Sequence, residues 1–344
     1  MKEKLLKRSK YLFALLTLII IGVVFAVKIN GQATTPGLIL SPPYLSKDVK
    51  AGESYTQEFS LNNRTGISDT FIIESREIAF DENGQPFIPK DQGADSRSTL
   101  EKNGWLTITP KSLTLNDGEK QNFTVTLNMP RNQPTNGYYS EIAIFGTAQE
   151  TLPLEGGAGS TIKSEVAIPL AINLLGDVPA VKKLEIVSFE IDKPWYDFTP
   201  VKFISKLLNT GNVHLVPSGQ IFIGQDQEFK NNLDSLEFNA SQQLVYNKAG
   251  RIFENVWNNE AIRYDDKGSL VVDWGNLSNI RFGQYYAQLN VIWDTNQGRE
   301  FVSAMVSFWI IPWQLILMTL IILIILFVLA RRRFRKNKKV VQKD

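Results

Sequence analysis

From Phe308 to Ala330 the chain is apolar for 23 residues, with only Gln314 and Thr319 as clearly polar interruptions. At 1.5 Å per residue a helix of this length crosses a hydrocarbon core of about 30 Å, so the segment reads as a transmembrane helix. Trp309 and Trp313 stand at its start, where indoles favour the membrane interface, and Arg331, Arg332, Arg333, Arg335, Lys336, Lys338 and Lys339 follow its end. The positive-inside rule then makes the tail 331–344 cytoplasmic and places everything from Thr34 to Ser307 outside. The chain's other end opens with a basic stretch through Lys10 and an apolar run from Tyr11 to Val27, the pattern of an export signal. Small residues at Gly31 and Ala33 suit cleavage after Ala33; an uncleaved anchor is the alternative. The expected plan is a signal over 1–33, two outer modules over 34–178 and 179–307, a membrane helix over 308–330 and a basic tail.

Charge and composition narrow what the outer part can do. Of 37 basic and 35 acidic side chains, residues 1–33 carry 6 and 1 and the last 14 carry 8 and 1, leaving 23 against 33 between them. A body at net −10 argues against nucleic acid, because neutralising phosphates needs clustered Lys and Arg on the folded part. There is no cysteine, which excludes a disulfide scaffold, a zinc ribbon and a cysteine nucleophile, and His214 is the single histidine. An exported chain without cysteine suits a bacterial or archaeal surface.

Between the apolar ends, short alternating runs bounded by Gly, Pro, Asn and Asp read as strands, among them Tyr55 to Leu61, Gln121 to Asn128 and Tyr138 to Phe145. Asp234 to Glu260 is the one region ambiguous enough for a helix or an irregular insertion. Shifting the chain by 146 residues pairs Leu38 with Leu184, Leu40 with Ile186, Leu61 with Leu207, Asn63 with Asn209, Gly137 with Gly283 and Tyr139 with Tyr285. This is read as one module repeated. The expected fold class is all-β, two tandem immunoglobulin-like sandwiches followed by one C-terminal membrane helix.

The series Trp105-Leu-Thr-Ile-Thr-Pro-Lys-Ser-Leu-Thr-Leu-Asn-Asp-Gly-Glu-Lys120, then Phe123 to Met129, Pro130 and Asn136-Gly-Tyr-Tyr139, gives a strand, x-Gly-Glu, strand, Pro, Gly-Tyr order. Together with the overall plan and Asn209-Thr-Gly-Asn-Val-His-Leu-Val-Pro-Ser-Gly219, it resembles the WxL-interacting proteins of Gram-positive surfaces and related envelope proteins with pilus-chaperone-like domains. The resemblance implies binding of peptidoglycan through the first domain and a surface protein through the second, without catalysis. It transfers no individual binding residues.

Two surfaces are candidates for a partner. Residues 162 to 174 alternate strictly, with Ile162, Val166, Ile168, Leu170 and Ile172 on one face, and Pro169 removes a ladder donor, which suits an edge strand that a partner could extend. The bland alternative is an ordinary last strand of the first sandwich. The Gly-rich stretch Glu155 to Ser160 before it would leave room for rearrangement. In the second module Trp257 and Trp274 are candidates for an exposed aromatic surface, with core packing as the alternative. Other motifs read as turns. Asp81-Glu-Asn-Gly84 resembles a calcium loop, yet its twelfth position is Gln92; Asp265-Asp266-Lys267-Gly268 reads as a hairpin turn. His214 lies beside a turn, and no Gly-x-Ser-x-Gly elbow accompanies it. No cofactor or metal is expected. The expected function is a non-catalytic, membrane-anchored envelope protein that holds a cell-wall polymer or a surface protein, with a structural stalk or receptor, and more remotely a glycan hydrolase, as alternatives.

Overall fold

The computed structural model describes residues 37–81, 83–89, 97–147, 150–152, 160–162, 165–230, 232–258 and 261–341. The export segment and the Gly-rich stretch 155–159 lie outside the described residues. The first sandwich is built from β1 (Gly37–Ser41), β2 (Leu45–Lys50), β3 (Ser54–Arg64), β4 (Asp69–Glu77), β5 (Ala79–Phe80), β6 (Pro86–Phe87), β7 (Leu106–Thr109), β8 (Ser112–Leu115), β9 (Lys120–Asn128), β10 (Asn136–Gly146), β11 (Glu150–Leu152), β12 (Ser160–Ile162) and β13 (Glu165–Leu175). One sheet has the order β1-β3-β9-β7 and faces a second ordered β2-β13-β10-β4-β8. The strands alternate buried and open positions, so Phe59, Leu61, Phe123, Val125, Ile142 and Ile144 meet between the sheets. Phe59 and Phe123 stack there with centroids 5.4 Å apart.

The second sandwich uses β14 (Leu184–Ile191), β15 (Trp195–Tyr196), β16 (Val201–Asn209), β17 (Ser218–Gly224), β18 (Asn232–Phe238), β19 (Gly250–Trp257), β20 (Ile262–Tyr264), β21 (Leu270–Val272), β22 (Gly283–Thr295) and β23 (Gly298–Ile310). Its sheets are β14-β16-β19 and β15-β23-β22-β17-β18. In both sandwiches the opening strand crosses from one sheet to the other, and its second part runs parallel to the last strand: β2 along β13, β15 along β23. With the remaining pairs antiparallel, this strand order is immunoglobulin-like. No strand occupies residues 176–183 between β13 and β14.

The repeat is written into the registers. Leu38 faces Asn63 and Leu40 faces Leu61 in one module; Leu184 faces Asn209 and Ile186 faces Leu207 in the other. The later pairing needs correction by one residue. Tyr138, Ser140, Ile142 and Ile144 face inward in β10, whereas in β22 the inward set is Tyr285, Ala287, Leu289 and Val291. Tyr138, not Tyr139, therefore corresponds to Tyr285, because a shift of one residue turns a side chain to the opposite face.

Two other expectations are corrected. The stretch Asp234 to Glu260 holds most of β18 and all of β19 rather than a helix, as far as the described residues reach. The C-terminal apolar helix begins later than the apolar run: Phe308 and Ile310 are buried in the second core at the end of β23, and the helix spans Trp313–Val341, with Trp313–Arg331 long and apolar enough to cross a membrane. A strand's core residues abut the helix directly, so hydropathy alone cannot separate them.

Candidate functional site

Of the two readings of residues 162–174, a docking edge or an ordinary last strand of the first sandwich, the packing of the described residues is that of the last strand. Ile168, Leu170 and Ile172 are at most 1% exposed and belong to the first core, with Val166 packed against it. β13 lies between β10 and β2, since β2 pairs with it from Leu170 to Leu175. Among the described residues only Glu165–Pro169 lacks a strand on that side, and Pro169, which has no N–H to give, stands one residue before β2 joins. Ile162 is in β12, paired with β11, and not in the same strand.

The outward side chains of β13 lead instead to the junction of the two sandwiches. Asn173 accepts the backbone N–H of His214 at 3.0 Å and donates to the His214 carbonyl at 3.2 Å and to Asp48 at 2.8 Å. The His214 ring meets the Ser46 hydroxyl through Nε2 at 3.1 Å, so His214 is not a local turn residue but a bond between modules. Burial pushes its pKa down to about 4, with nearby Asp48 opposing and Lys182 adding to the shift. Beside it the Tyr139 hydroxyl accepts the Asn247 N–H at 3.1 Å, and burial holds that phenol well above its ordinary pKa. Tyr246 packs edge-on against Tyr139 and stacks on Phe80 with centroids 3.7 Å apart. The turn Asp81–Gly84 completes the contact. Its Asp81 carboxylate accepts the N–H groups of Asn83 and Gln85, and Asn83 accepts Lys206 at 3.1 Å. A Cβ at Gly84, where φ is +76°, would fall 2.2 Å from the Gly250 carbonyl oxygen. Glycine lets the turn touch the second sandwich.

These contacts frame a groove of about 360 Å³ between the modules. Tyr44, Leu45, Pro169 and Ala171 line it from the first sandwich; Gln243, Leu244, Tyr246 and Arg251 line it from the second. Tyr44 is 62% exposed, an open aromatic beside the unpaired end of β13. The groove was not legible in the sequence, because its walls come from segments about 70 to 210 residues apart.

The expected aromatic surface divides. Trp257 is fully buried, its indole N–H donating to Asp234 at 2.8 Å, so it belongs to the second core. Trp274, at 78% exposed, opens a short 3-10 turn over Trp274–Asn279. Asp265 accepts the N–H groups of Lys267 and Ser269, closing the β20–β21 hairpin. Among the described residues no group of three His, Cys, Asp or Glu side chains is placed to hold a metal ion.

No protein-family model matches the chain, that of the WxL-interacting proteins included, and no curated protein matches it. Solved structures do match. The class 5 fimbriae chaperone CfaA is 15% identical, with 78% of this chain and 98% of that one covered at a TM-score of 0.34. The E. coli chaperone DraB is 11% identical, covering 79% and 96% at 0.34, and the periplasmic chaperone SfaE is 12% identical, covering 80% and 100% at 0.30. These neighbours are pilus-chaperone-like immunoglobulin-like folds. The fold of this chain rests on its own strand order.

Proposed function

We propose that the chain is a non-catalytic cell-envelope binding protein, anchored by its C-terminal helix with the basic tail inside, whose groove between the sandwiches holds an extended segment of a surface protein. The observation that carries this reading is the groove itself, whose wall includes Pro169 at the end of an unpaired strand edge. Such an edge offers backbone N–H and C=O groups to an added strand, and the exposed Tyr44 ring offers apolar contact beside it. The clamped junction supports it too, since a groove held in one shape loses less entropy on binding. Binding of peptidoglycan, as in the WxL-interacting proteins that the sequence resembles, is the second reading, and exposed aromatic side chains favour it because they can stack on sugar rings.

The test is retention of the full-length chain in detergent on immobilised secreted proteins from the same cells and, separately, on purified wall. Truncating one apolar contact costs about 1 to 3 kcal/mol, so Tyr44→Ala should weaken retention on the protein by roughly 5- to 150-fold at unchanged melting temperature. Retention on the wall alone, unaffected by Tyr44→Ala, would replace the groove reading with the polymer reading. Retention on neither would remove both.

A further inference from the structure

The second sandwich and the apolar helix are joined by more than a peptide link. The Ile311 N–H donates to the Tyr196 carbonyl at 2.7 Å, and the helix starts two residues later. In its first turn Gln314 donates to the Asp197 carboxylate at 2.7 Å, which also accepts the Tyr264 hydroxyl at 2.8 Å and the Phe198 N–H at 3.0 Å. Burial opposes ionisation of Asp197, but these bonds outweigh it and hold its carboxyl below the usual range. Leu315 packs against the small cluster of Phe198, Ala261 and Ile262. The first helical turn is thus part of the sandwich's own packing.

This attachment sets the depth of what surrounds it. The apolar span of 19 residues rises about 28 Å, nearly the full hydrocarbon thickness, so Trp313 falls at its boundary and the Gln314–Asp197 contact falls near the headgroups. Around that contact the sandwich exposes Trp195, Trp274, Ile280, Phe282 and Trp309. Their positions follow from the pairing: Trp195 lies beside Trp309, two residues before Ile311. Gly283, next to Phe282, pairs with Ile310. Trp274 follows Asp273, whose N–H is held by the carbonyl of Ala261 in the cluster touching Leu315. Five large apolar side chains left in water at the end of a sandwich nearest a membrane helix, three of them tryptophans, are unusual for a surface that faces solvent alone.

We propose that these side chains form a collar seated in the interface of the bilayer that the helix crosses, fixing the tilt of the ectodomain against the membrane. The occupant is the lipid surface, because the patch is continuous with Trp313 and the helix itself and because indoles partition to the headgroup level. The proposal rests on the reading of Trp313–Arg331 as a membrane span.

The absence of native cysteine makes the test clean, since one introduced cysteine takes one spin label. The full-length chain would be labelled at Trp274→Cys, Phe282→Cys, Leu323→Cys in the helix centre, or Lys102→Cys on the first sandwich. It would then be placed in vesicles of phosphatidylcholine and phosphatidylglycerol. Accessibility to oxygen relative to a water-soluble nickel complex reports depth. The expected result is the largest ratio at 323, intermediate ratios at 274 and 282 several-fold above that at 102, and melting temperatures matching the parent chain. A deep label at 323 with 274 and 282 as aqueous as 102 overturns the collar and leaves the membrane span standing. An aqueous label at 323 overturns the span and the collar with it.

Discussion

Asn63 and Asn209 do the same work in the two modules, and they show why one residue type was kept at both corners. Asn63 donates to the carbonyls of Ile67 and Leu115 and accepts the Thr65 N–H; Asn209 donates to those of Val213 and Val245 and accepts the Gly211 N–H. Both side chains are fully buried, and their bonds satisfy backbone groups of the turns they close. His214 is different, since it has no counterpart bond in a second copy and it titrates. Its folded pKa of about 4 lies below the ordinary value of 6.5, so between those values the unfolded chain binds the extra proton. Stability from neutral His214 is therefore complete above pH 6.5 and is lost as pH falls toward 4, by up to about 3 kcal/mol. As the chain has one histidine, His214→Gln should flatten that part of the profile in urea unfolding compared between pH 7 and pH 4.5. An unchanged slope would show that carboxylates, not His214, carry the acid sensitivity.

At the scale of elements, β13 separates what a strand's own sequence reveals from what it does not. Its alternation fixed the inward face, but its neighbours are set by β2, whose six residues carry only Leu45 and Val49 as apolar signals and whose place beside β13 is decided 125 residues away. An exposed edge was hence one of two readings open for a strand that β2 covers from Leu170 to Leu175. Ile168→Asp, placed in the centre of the first core, should cost more than about 4 kcal/mol and leave the first sandwich unfolded in thermal melts followed by circular dichroism. A variant with the parent melting curve would return Ile168 to the surface. The turns at Asp81 and Asp265 were legible, because Asx side chains close them locally. The repeat was legible at the β1–β3 and β14–β16 pairs, where Leu38 faces Asn63 and Leu184 faces Asn209. It slipped by one at β10 and β22, where adjacent tyrosines, Tyr138-Tyr139 and Tyr285-Tyr286, align either way. The helix start was misplaced because Phe308 and Ile310 are apolar for the sake of a sheet rather than a bilayer.

For the whole molecule, two immunoglobulin-like sandwiches are locked at one end by Asn173, His214, Tyr139 and Tyr246 and tied at the other to a helix through Asp197 and Gln314. Neither joint could be read from composition, since each depends on side chains that meet across 41 residues or more, from Asn173 and His214 to Asp197 and Gln314, 117 apart. Both joints fix the place of the groove relative to the C-terminal helix. The most direct measurement replaces Tyr44, in the groove, or Phe87, an exposed side chain outside it, with a photo-crosslinking phenylalanine in the full-length chain on intact cells. The account predicts that illumination yields a discrete adduct from position 44 with a surface protein, that protease added outside removes this adduct, and that position 87 yields none of it. No adduct from position 44, or one with a cytoplasmic protein, would contradict it.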